Sequence, residues 1–261
     1  MSSEANVKDK DAQSGGIMDT LRVIIHALLL AVFIRIFLYQ PFNIPSGSMI
    51  PTLLVGDYLF VSKFSYGYSR HAFPWSPNLF DGRIFGSDPE RGDVAVFKLP
   101  SNDSENYIKR VIGLPGDRVQ MIEGVLHING EGVKRERIED FVGPRSACES
   151  GTNYSEITVP RYMETLPNGV TYESLDCRTN SGSDDTREFV VPEDHFFMMG
   201  DNRDNSSDSR SPRSGVGYVP RENLIGRADV IFFSIDETAS WFAPWRWPVE
   251  IRWSRFFDLI N

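Results

Sequence analysis

Hydrophobic and polar positions divide the chain into a polar N-terminal segment, one long apolar run and a body of short alternating stretches. Residues 1–19 begin with small, polar residues of mixed charge, a composition typical of a disordered tail. The apolar run Leu21–Tyr39 would form a helix of about 28 Å, close to the thickness of a bilayer core. Arg22 and Arg35 interrupt it near its ends, where long side chains can reach lipid headgroups. The pattern predicts a transmembrane helix at 20–39.

Two other interpretations of the apolar run are a buried core helix and a cleaved secretory signal. Cleavage is disfavoured because residues 40–45 contain no small-x-small site. The basic residues Lys8, Lys10 and Arg22 lie at the N-terminal side, and residues 36–62 contain neither Lys nor Arg. The positive-inside bias therefore predicts a cytoplasmic N-terminus, with the rest of the chain across the membrane.

Short runs rich in β-branched and aromatic residues follow the predicted helix, and Gly and Pro punctuate the chain between them. Amphipathic helical periodicity is almost absent from this part of the sequence. These features predict a mostly β fold, with an all-β body behind one membrane helix. The predicted strands are Asp57–Phe64, Asp93–Leu99, Tyr107–Ile112, Arg118–Ile122, Val125–Gly130, Glu188–Val191, His195–Met199 and Ala228–Ile235.

A polar stretch, residues 131–190, separates two groups of predicted strands and is expected to form an inserted β subdomain. The β core then comprises a first part, 40–130, and a second part with the C-terminal tail, 191–261. An aromatic loop at 65–90 either touches a membrane surface or a partner, or packs onto the core. The last 21 residues hold four tryptophans and three arginines, which suit a lipid interface without requiring one.

The net charge and the cysteine content limit the classes of ligand that the protein is expected to bind. The formal net charge of -9 argues against nucleic acid, because phosphate binding needs a basic face. Cys148 and Cys177 form no C-x-x-C motif and have no nearby His pattern, so a zinc site is not expected. In an oxidising compartment the two cysteines could pair, and two free thiols are the alternative.

The first stretch that could carry chemistry is PSGSMIPT, residues 45–52, directly after the apolar run. Its prolines favour a shaped turn or a short extended piece over a helix. Ser46 and Ser48 flank Gly47, which lets a ligand approach the backbone closely. The stretch is either a nucleophile-bearing turn or a polar hinge between a membrane helix and a soluble domain.

A serine needs a base to become a nucleophile. In the predicted strand Tyr107–Ile112, the two-residue period places Lys109 on one face with Tyr107 and Val111. Its neighbour Arg110 cannot lose its proton in a protein, so only Lys109 of the two could act as a base. Burial that lowered the lysine pKa to about 8 would leave about a tenth of it neutral at pH 7. An ordinary strand lysine facing water is the alternative.

A histidine base is a further possibility. None of the histidines lies in a recognisable triad motif, although a triad is assembled in space and sequence alone does not exclude it. The four histidines are His26, His71, His127 and His195.

A third stretch, Gly200–Arg210, alternates acids, arginines and short hydroxyl side chains. It is not an EF-hand, because Arg203, Ser206 and Pro212 occupy positions where a calcium loop needs an oxygen ligand, a glycine and a glutamate. We expect a rigid hydrogen-bond network that presents a hydroxyl to a neutral lysine.

In this order and behind an anchor, the motifs resemble bacterial type I signal peptidases, membrane-bound serine proteases with a Ser–Lys dyad. The resemblance does not extend residue by residue to 65–90 or 131–190. The stretches that carry the resemblance are Pro41–Leu54, Arg91–Phe97, Tyr107–Asp117 and Gly200–Arg210.

The resemblance implies a membrane-anchored catalytic domain of coiled antiparallel sheets, with Ser48 as the nucleophile and Lys109 as the general base. Ser46 would join the Ser48 backbone N–H in an oxyanion hole. The residues implied to orient the base and support the site are Ser206, Tyr107, Asp201, Arg203, Asp208 and Arg210. The residues implied to line shallow apolar pockets for small side chains are Phe42, Ile44, Met49, Leu53 and Ile108.

The implied function is the removal of signal peptides from exported preproteins after small-x-small sites. The protein would be single-pass in the bacterial inner membrane, with a cytoplasmic N-terminus and a periplasmic catalytic domain. Its partners would be signal peptides and membrane lipid, with the secretion translocon as a candidate, and no metal or cofactor is expected. The rivals are a Ser–Lys protease of the self-cleaving repressor type, a Ser-His-Asp hydrolase and a non-catalytic membrane-anchored scaffold.

Overall fold

The computed structural model describes residues 5–77, 80–144, 147–148, 156–178, 180–211, 215–240 and 242–260. Helix α1 spans Ala5–Phe33 and continues into a π-helical turn, Ile34–Leu38. Within it, Met18–Leu38 is long and apolar enough to cross a membrane, and the rest of the chain leaves this segment exposed. The helix also extends back into the segment for which the sequence predicts disorder, which has no proline to stop it.

Sixteen strands and a second short helix lie within the described residues, and each of the eight predicted strands overlaps one of them. The fold is mostly β, as predicted. The strands are β1 Tyr39–Asn43, β2 Asp57–Ser62, β3 Val94–Leu99, β4 Asn102–Gly113, β5 Arg118–Ile122, β6 Val125–Ile128, β7 Glu131–Gly132, β8 Lys134–Arg137, β9 Phe141–Pro144, β10 Glu156–Val159, β11 Arg161–Thr165, β12 Thr171–Leu175, β13 Phe189–Val190, β14 His195–Met199, β15 Tyr218–Pro220 and β16 Leu224–Ser234, and helix α2 is Trp247–Glu250.

A seven-stranded antiparallel sheet, in the order β1-β2-β16-β3-β4-β14-β15, forms the centre of the body. A second sheet has four strands, in the order β13-β5-β6-β7. Its buried side chains share one hydrophobic cluster with Ile112 of β4 and Phe197 of β14. Strands β8 to β12 fall within the polar stretch 131–190, where they form a three-stranded sheet, β12-β11-β8, and a two-stranded sheet, β10-β9.

Strand β4 enters the core from an exposed polar end. Its first residues are exposed and the five residues Lys109–Gly113 are buried. Val111 and Ile112, whose side chains point to opposite faces, belong to two different hydrophobic clusters. Both faces of β4 are therefore covered at this end, and a polar side chain placed here is removed from water.

The questions that the sequence leaves open about the cysteines and the aromatic loop have structural answers. Cys148 and Cys177 form a disulfide, with Cα atoms 5.6 Å apart. In the loop, Tyr66 is buried and Phe73 packs against Phe37 of the π-helical turn, with ring centroids 6.2 Å apart. Trp75, in contrast, is 99% exposed. Part of the loop therefore packs onto the body and part presents an aromatic side chain to the surroundings.

Candidate active site

Ser48 lies in a 3-10 turn, Gly47–Met49, that follows the extended Ser46. Met49 anchors the turn, because its side chain is fully buried in a hydrophobic cluster that includes Leu59 and Val61 of β2. Ser48 itself is 7% exposed and lines an open cleft of about 810 Å³ together with Ser46. The local sequence therefore places the Ser48 hydroxyl in a cleft that a substrate can enter, as a nucleophile requires.

Lys109 reaches the same point from β4. Its Nζ lies 2.6 Å from Ser48 Oγ and donates a second hydrogen bond of 2.9 Å to the Ile108 carbonyl. The amine also lies 5.5 Å from the centroid of the Tyr107 ring. Tyr107 and Lys109 share one side of the strand, so the two-residue period brings a ring and an amine together beside the serine.

Burial changes the proton affinity of Lys109, which is 3% exposed. Desolvation lowers its pKa from the ordinary 10.5 to about 8, while the negative charges of Asp208 and Asp201 oppose this shift. About a tenth of the lysine is then neutral at pH 7, against about one molecule in three thousand for a lysine with the ordinary pKa. Geometry and pKa together suit this amine to accept the proton of Ser48.

The peptide bond before Ser48 is held by Asn202. Asn202 Nδ2 donates to the Gly47 carbonyl at 2.9 Å, and the Asn202 backbone N–H donates to the Ser48 carbonyl at 3.2 Å. In a trans peptide the C=O and the next N–H point in opposite directions, so fixing the Gly47 carbonyl fixes the Ser48 N–H. Among the described residues no acceptor is bonded to that N–H, which leaves it available to a ligand in the cleft.

Asp201 anchors the loop after β14 to the strand that carries Lys109. Its carboxylate accepts two hydrogen bonds from the buried Arg110, at 2.9 and 2.7 Å. It also accepts one from Thr52 Oγ1 at 2.6 Å. One carboxylate thus links the serine stretch, β4 and the loop.

The predicted network within Gly200–Arg210 is only partly internal. Arg210 pairs with Asp208 at 2.8 Å, and this pair and further hydrogen bonds hold the pKa of Asp208 below its ordinary value although burial opposes this. Arg203 instead pairs with Glu164 of β11 at 2.5 Å. Each buried charge therefore has an opposite partner, which keeps the loop rigid.

Ser206 lies in the cleft with Lys109, although no hydrogen bond joins Ser206 Oγ to Lys109 Nζ. Gly200 explains how the loop comes so close: a Cβ at this position would collide with Ser206 Oγ and the Ser48 carbonyl. A glycine is required here because the two serine segments pack against its Cα.

The apolar part of the cleft differs from the prediction at two positions. Phe42, Ile44 and Ile108 line it as predicted, and Val96 lines it as well. Met49 and Leu53 do not line the cleft, because both are fully buried in the cluster behind it. Apolar residues of the wall and of the core look alike in sequence, and only the direction of the 3-10 turn separates them.

The histidines are bonded elsewhere. None of the four, all of which the structure describes, forms a hydrogen bond with Ser48, whose hydroxyl is bonded to Lys109. The ring partners are the Arg22 carbonyl for His26, Arg70 and Ser76 for His71, the Val125 carbonyl for His127 and the Glu193 carbonyl for His195. The geometry gives no support to a Ser-His-Asp site.

Comparison with known proteins identifies the family. A family model described as signal peptidase, peptidase S26, matches residues 17–233. The chain belongs to this signal peptidase family. A signal peptidase I of Rickettsia typhi (strain ATCC VR-144 / Wilmington) is 43% identical over 216 residues, which cover 79% of this chain and 76% of the relative. A signal peptidase I of Rickettsia conorii (strain ATCC VR-613 / Malish 7) shows the same identity and coverage.

The resemblance inferred from the four sequence stretches is thereby confirmed, and the chain is a peptidase. Its single N-terminal apolar helix fits membrane anchoring of such a signal peptidase. A solved signal peptidase I from Enterococcus faecalis V583 is 28% identical and covers 54% of this chain and 97% of its own length. Its TM-score of 0.31 is too low to inform the fold.

Several residues of the site were not predicted from the sequence. Ile108 and Ile112, the apolar neighbours that share a face of β4 with Arg110, are a weak signal that its side chain is covered. Asn202 and Thr52 carried no such signal, since both are ordinary in turns. The unpredicted residues of the site are Thr52, Val96, Arg110, Glu164, Asn202 and Tyr172, whose hydroxyl accepts a 2.9 Å hydrogen bond from Arg203.

One group of carboxylates among the described residues has the spacing of metal ligands. Oxygens of Asp176, Asp184 and Asp204 lie within 4.8 Å of one another. Asp176 is already paired with Arg135 at 2.9 Å, which offsets part of the negative charge. The Ser48–Lys109 chemistry makes no use of this group.

Proposed function

We propose that the protein removes signal peptides from exported preproteins by a Ser–Lys mechanism, with Ser48 as the nucleophile and Lys109 as the general base. The observation that carries this proposal is the 2.6 Å contact between Lys109 Nζ and Ser48 Oγ at a buried site. Membership of the signal peptidase family supplies the substrate class. The two together favour this function over the repressor-type protease and the scaffold.

Acylation begins with neutral Lys109. Ser48 Oγ attacks the carbonyl carbon of the scissile peptide bond while its proton passes to Lys109 Nζ. The carbonyl oxygen becomes an oxyanion, to which the Ser48 N–H and the Ser46 hydroxyl donate hydrogen bonds. The Lys109 ammonium then gives its proton to the leaving amine, and the C–N bond breaks. The products are the mature chain with a free N-terminus and an ester between the signal peptide and Ser48.

Deacylation repeats the step with water. Neutral Lys109 takes a proton from a water molecule, whose oxygen attacks the ester carbon. The second tetrahedral intermediate collapses as Ser48 Oγ leaves and receives the proton from Lys109. The signal peptide departs with a new carboxylic acid, which releases its proton to solvent, and the enzyme returns to its starting protonation state.

The surrounding residues act through Ser48 and Lys109. Tyr107, whose ring centroid lies 5.5 Å from Lys109 Nζ, helps to orient the amine. Ser206 lines the same cleft and would orient the amine only after its hydroxyl turns towards Lys109. Asn202 fixes the oxyanion donor through the Gly47 carbonyl. The ion pairs of Asp201, Arg203, Asp208 and Arg210 hold these elements rigid, which keeps the reacting atoms within attack distance.

The cleft favours apolar side chains over charged ones. Phe42, Ile44, Val96 and Ile108 contribute apolar surface beside Ser48, and burying such surface against an alanine side chain is favourable while a charged one would lose hydration. This wall supports the binding of apolar side chains such as alanine, and the restriction to small-x-small sites rests on membership of the signal peptidase family. The wall also keeps water away from Lys109, which maintains its lowered pKa.

The location proposed is the bacterial inner membrane, with a cytoplasmic N-terminus and a periplasmic catalytic domain. The apolar segment Met18–Leu38 supports the anchor, and the basic residues before it support the orientation. The Cys148–Cys177 disulfide suits an oxidising compartment such as the periplasm. Signal peptides, membrane lipid and the secretion translocon are the proposed partners.

The test is cleavage of a preprotein with one Ala-x-Ala site by the purified full chain in detergent, with sequencing of the product N-terminus. The wild type should release the mature protein with its N-terminus directly after that site. Ser48→Ala and Lys109→Ala should abolish cleavage, while His127→Ala and His195→Ala should retain it. Cleavage by Lys109→Ala at a rate near that of the wild type would refute the proposal.

A further inference from the structure

A second cavity, of about 400 Å³, lies between the end of the apolar segment and the loop after β2. Its walls include Arg35 of the π-helical turn, Lys63 directly after β2, and Lys98 of β3. Asn106 lines both this cavity and the cleft that holds Ser48. The basic cavity, as we call it, therefore shares a wall with the proposed active site.

Three cations and one carboxylate line the basic cavity, so its charge is only partly offset by the protein. Asp103 is the one carboxylate in the wall, and among the described residues no ion pair involves Arg35, Lys63 or Lys98. Burial first, and the charge of Arg35 second, lower the pKa of Lys63 to about 8. Like charges held this close repel one another, so an anion that enters the cavity is attracted by all three.

Lys63 is a buried hydrogen-bond donor in the wall of the basic cavity. It is 1% exposed, and its Nζ donates to the Ala72 carbonyl at 2.5 Å and to the Ile36 carbonyl at 3.4 Å. These neutral carbonyls fix the ammonium without cancelling its charge. An ammonium has three N–H donors, so one remains for a ligand in the cavity.

The basic cavity lies at the depth of lipid headgroups if the apolar segment spans the bilayer. Arg35 is three residues before the end of that segment, Met18–Leu38, or about 4.5 Å along a helix. Phe73, in the cavity wall, packs on Phe37, which holds the loop to the segment. Trp75, also in the wall, is almost fully exposed, and tryptophan is favoured at the membrane interface.

We propose that the basic cavity binds the phosphate headgroup of an anionic phospholipid, with Arg35, Lys63 and Lys98 as its cationic ligands. This site goes beyond the proposed peptidase activity and requires only that the apolar segment lies in the membrane. A free phosphate offers the same charge and oxygen acceptors but lacks acyl chains that can follow the apolar segment. A bound lipid would hold the wall shared with the active site at the membrane surface, where a signal peptide emerges.

The experiment uses the purified full chain in a neutral detergent. Dioleoyl phosphatidylglycerol and dioleoyl phosphatidylcholine are added in equal amounts, and native mass spectrometry measures which lipid stays bound. One phosphatidylglycerol should be retained, because the choline cation is repelled by the cavity. The double variant Arg35→Gln/Lys98→Gln should retain it about twenty-five-fold more weakly, at about fivefold for each basic residue.

The matched control removes the same charge elsewhere. Arg118→Gln/Lys134→Gln changes exposed residues of β5 and β8 and should retain phosphatidylglycerol like the wild type. A second variant, Arg35→Lys/Lys98→Arg, keeps the charge and should also retain the lipid, which separates charge loss from misfolding.

Three outcomes would overturn the proposal. Equal retention by Arg35→Gln/Lys98→Gln would show that the lipid binds elsewhere. Equal loss in the control Arg118→Gln/Lys134→Gln would show that net charge alone attracts the lipid. Complete displacement of phosphatidylglycerol by inorganic phosphate would show a site for a free anion.

Discussion

The peptidase rate should rise with pH along the titration of Lys109. Burial lowers the pKa of this lysine from 10.5 to about 8. With that value the neutral fraction is about 1% at pH 6, about 9% at pH 7 and about 50% at pH 8. Because only the neutral amine accepts the Ser48 proton, kcat/KM should rise about fifty-fold between pH 6 and pH 8 and level off above about pH 9.

The assay is kcat/KM of the purified full chain in detergent for a peptide with an Ala-x-Ala site, measured between about pH 5.5 and about pH 10.5. A histidine base would reach its plateau by about pH 8, and a solvated lysine would keep the rate climbing beyond about pH 10. Either result, or a flat profile, would refute the role of a buried lysine. Lys63 is a matched control because its pKa is also lowered to about 8, so Lys63→Met should leave the midpoint of the profile unchanged.

Lys109→Met should stabilise the fold by about 3 kcal/mol at pH 7, measured by urea unfolding, because the folded pKa lies below the unfolded one. This gain should disappear as the pH rises from about 8 towards 10.5, and its persistence at high pH would contradict the desolvation argument. Asn202→Asp, which loses the donor to Gly47, should lower kcat about tenfold or more with little change in KM. The matched Asn223→Asp, which loses a similar 3.0 Å bond to the Lys98 carbonyl, should leave kcat unchanged. Asp201→Asn should lower the free energy of unfolding by about 3–5 kcal/mol in urea unfolding, because Arg110 is left buried without its partner charge. The control Lys134→Gln breaks an exposed pair and should cost at most about 1 kcal/mol. A loss that small for Asp201→Asn would contradict the prediction.

Local patterns predicted the strands and the face that Lys109 occupies, because alternation is a property of neighbouring residues. They did not predict that Arg110, on the other face, is buried as well. That depends on a second hydrophobic cluster packing on β4, which brings Ile112 together with Phe197 of β14. Alternation indicates which side chains share a face, whereas burial depends on what the rest of the chain places over it.

Partners distant in sequence could not be read from the pattern. Asp201 and Arg110 are 91 positions apart, and Arg203 and Glu164 are 39 apart. No periodicity relates such positions, and the composition of Gly200–Arg210 suggested that its charges pair within the loop. In the fold, two of these charges pair outside the loop: Asp201 with Arg110 of β4, and Arg203 with Glu164 of β11.

The most direct test of the central claim is the rate at which a serine-directed phosphonylating probe modifies Ser48 at pH 8, followed by intact mass and peptide mapping. The wild type should gain one adduct, located on Ser48, and Ser48→Ala should gain none. Lys109→Met should react at least about a hundredfold more slowly, because the base is lost while the serine remains. Labelling of Lys109→Met at the wild-type rate would contradict the account.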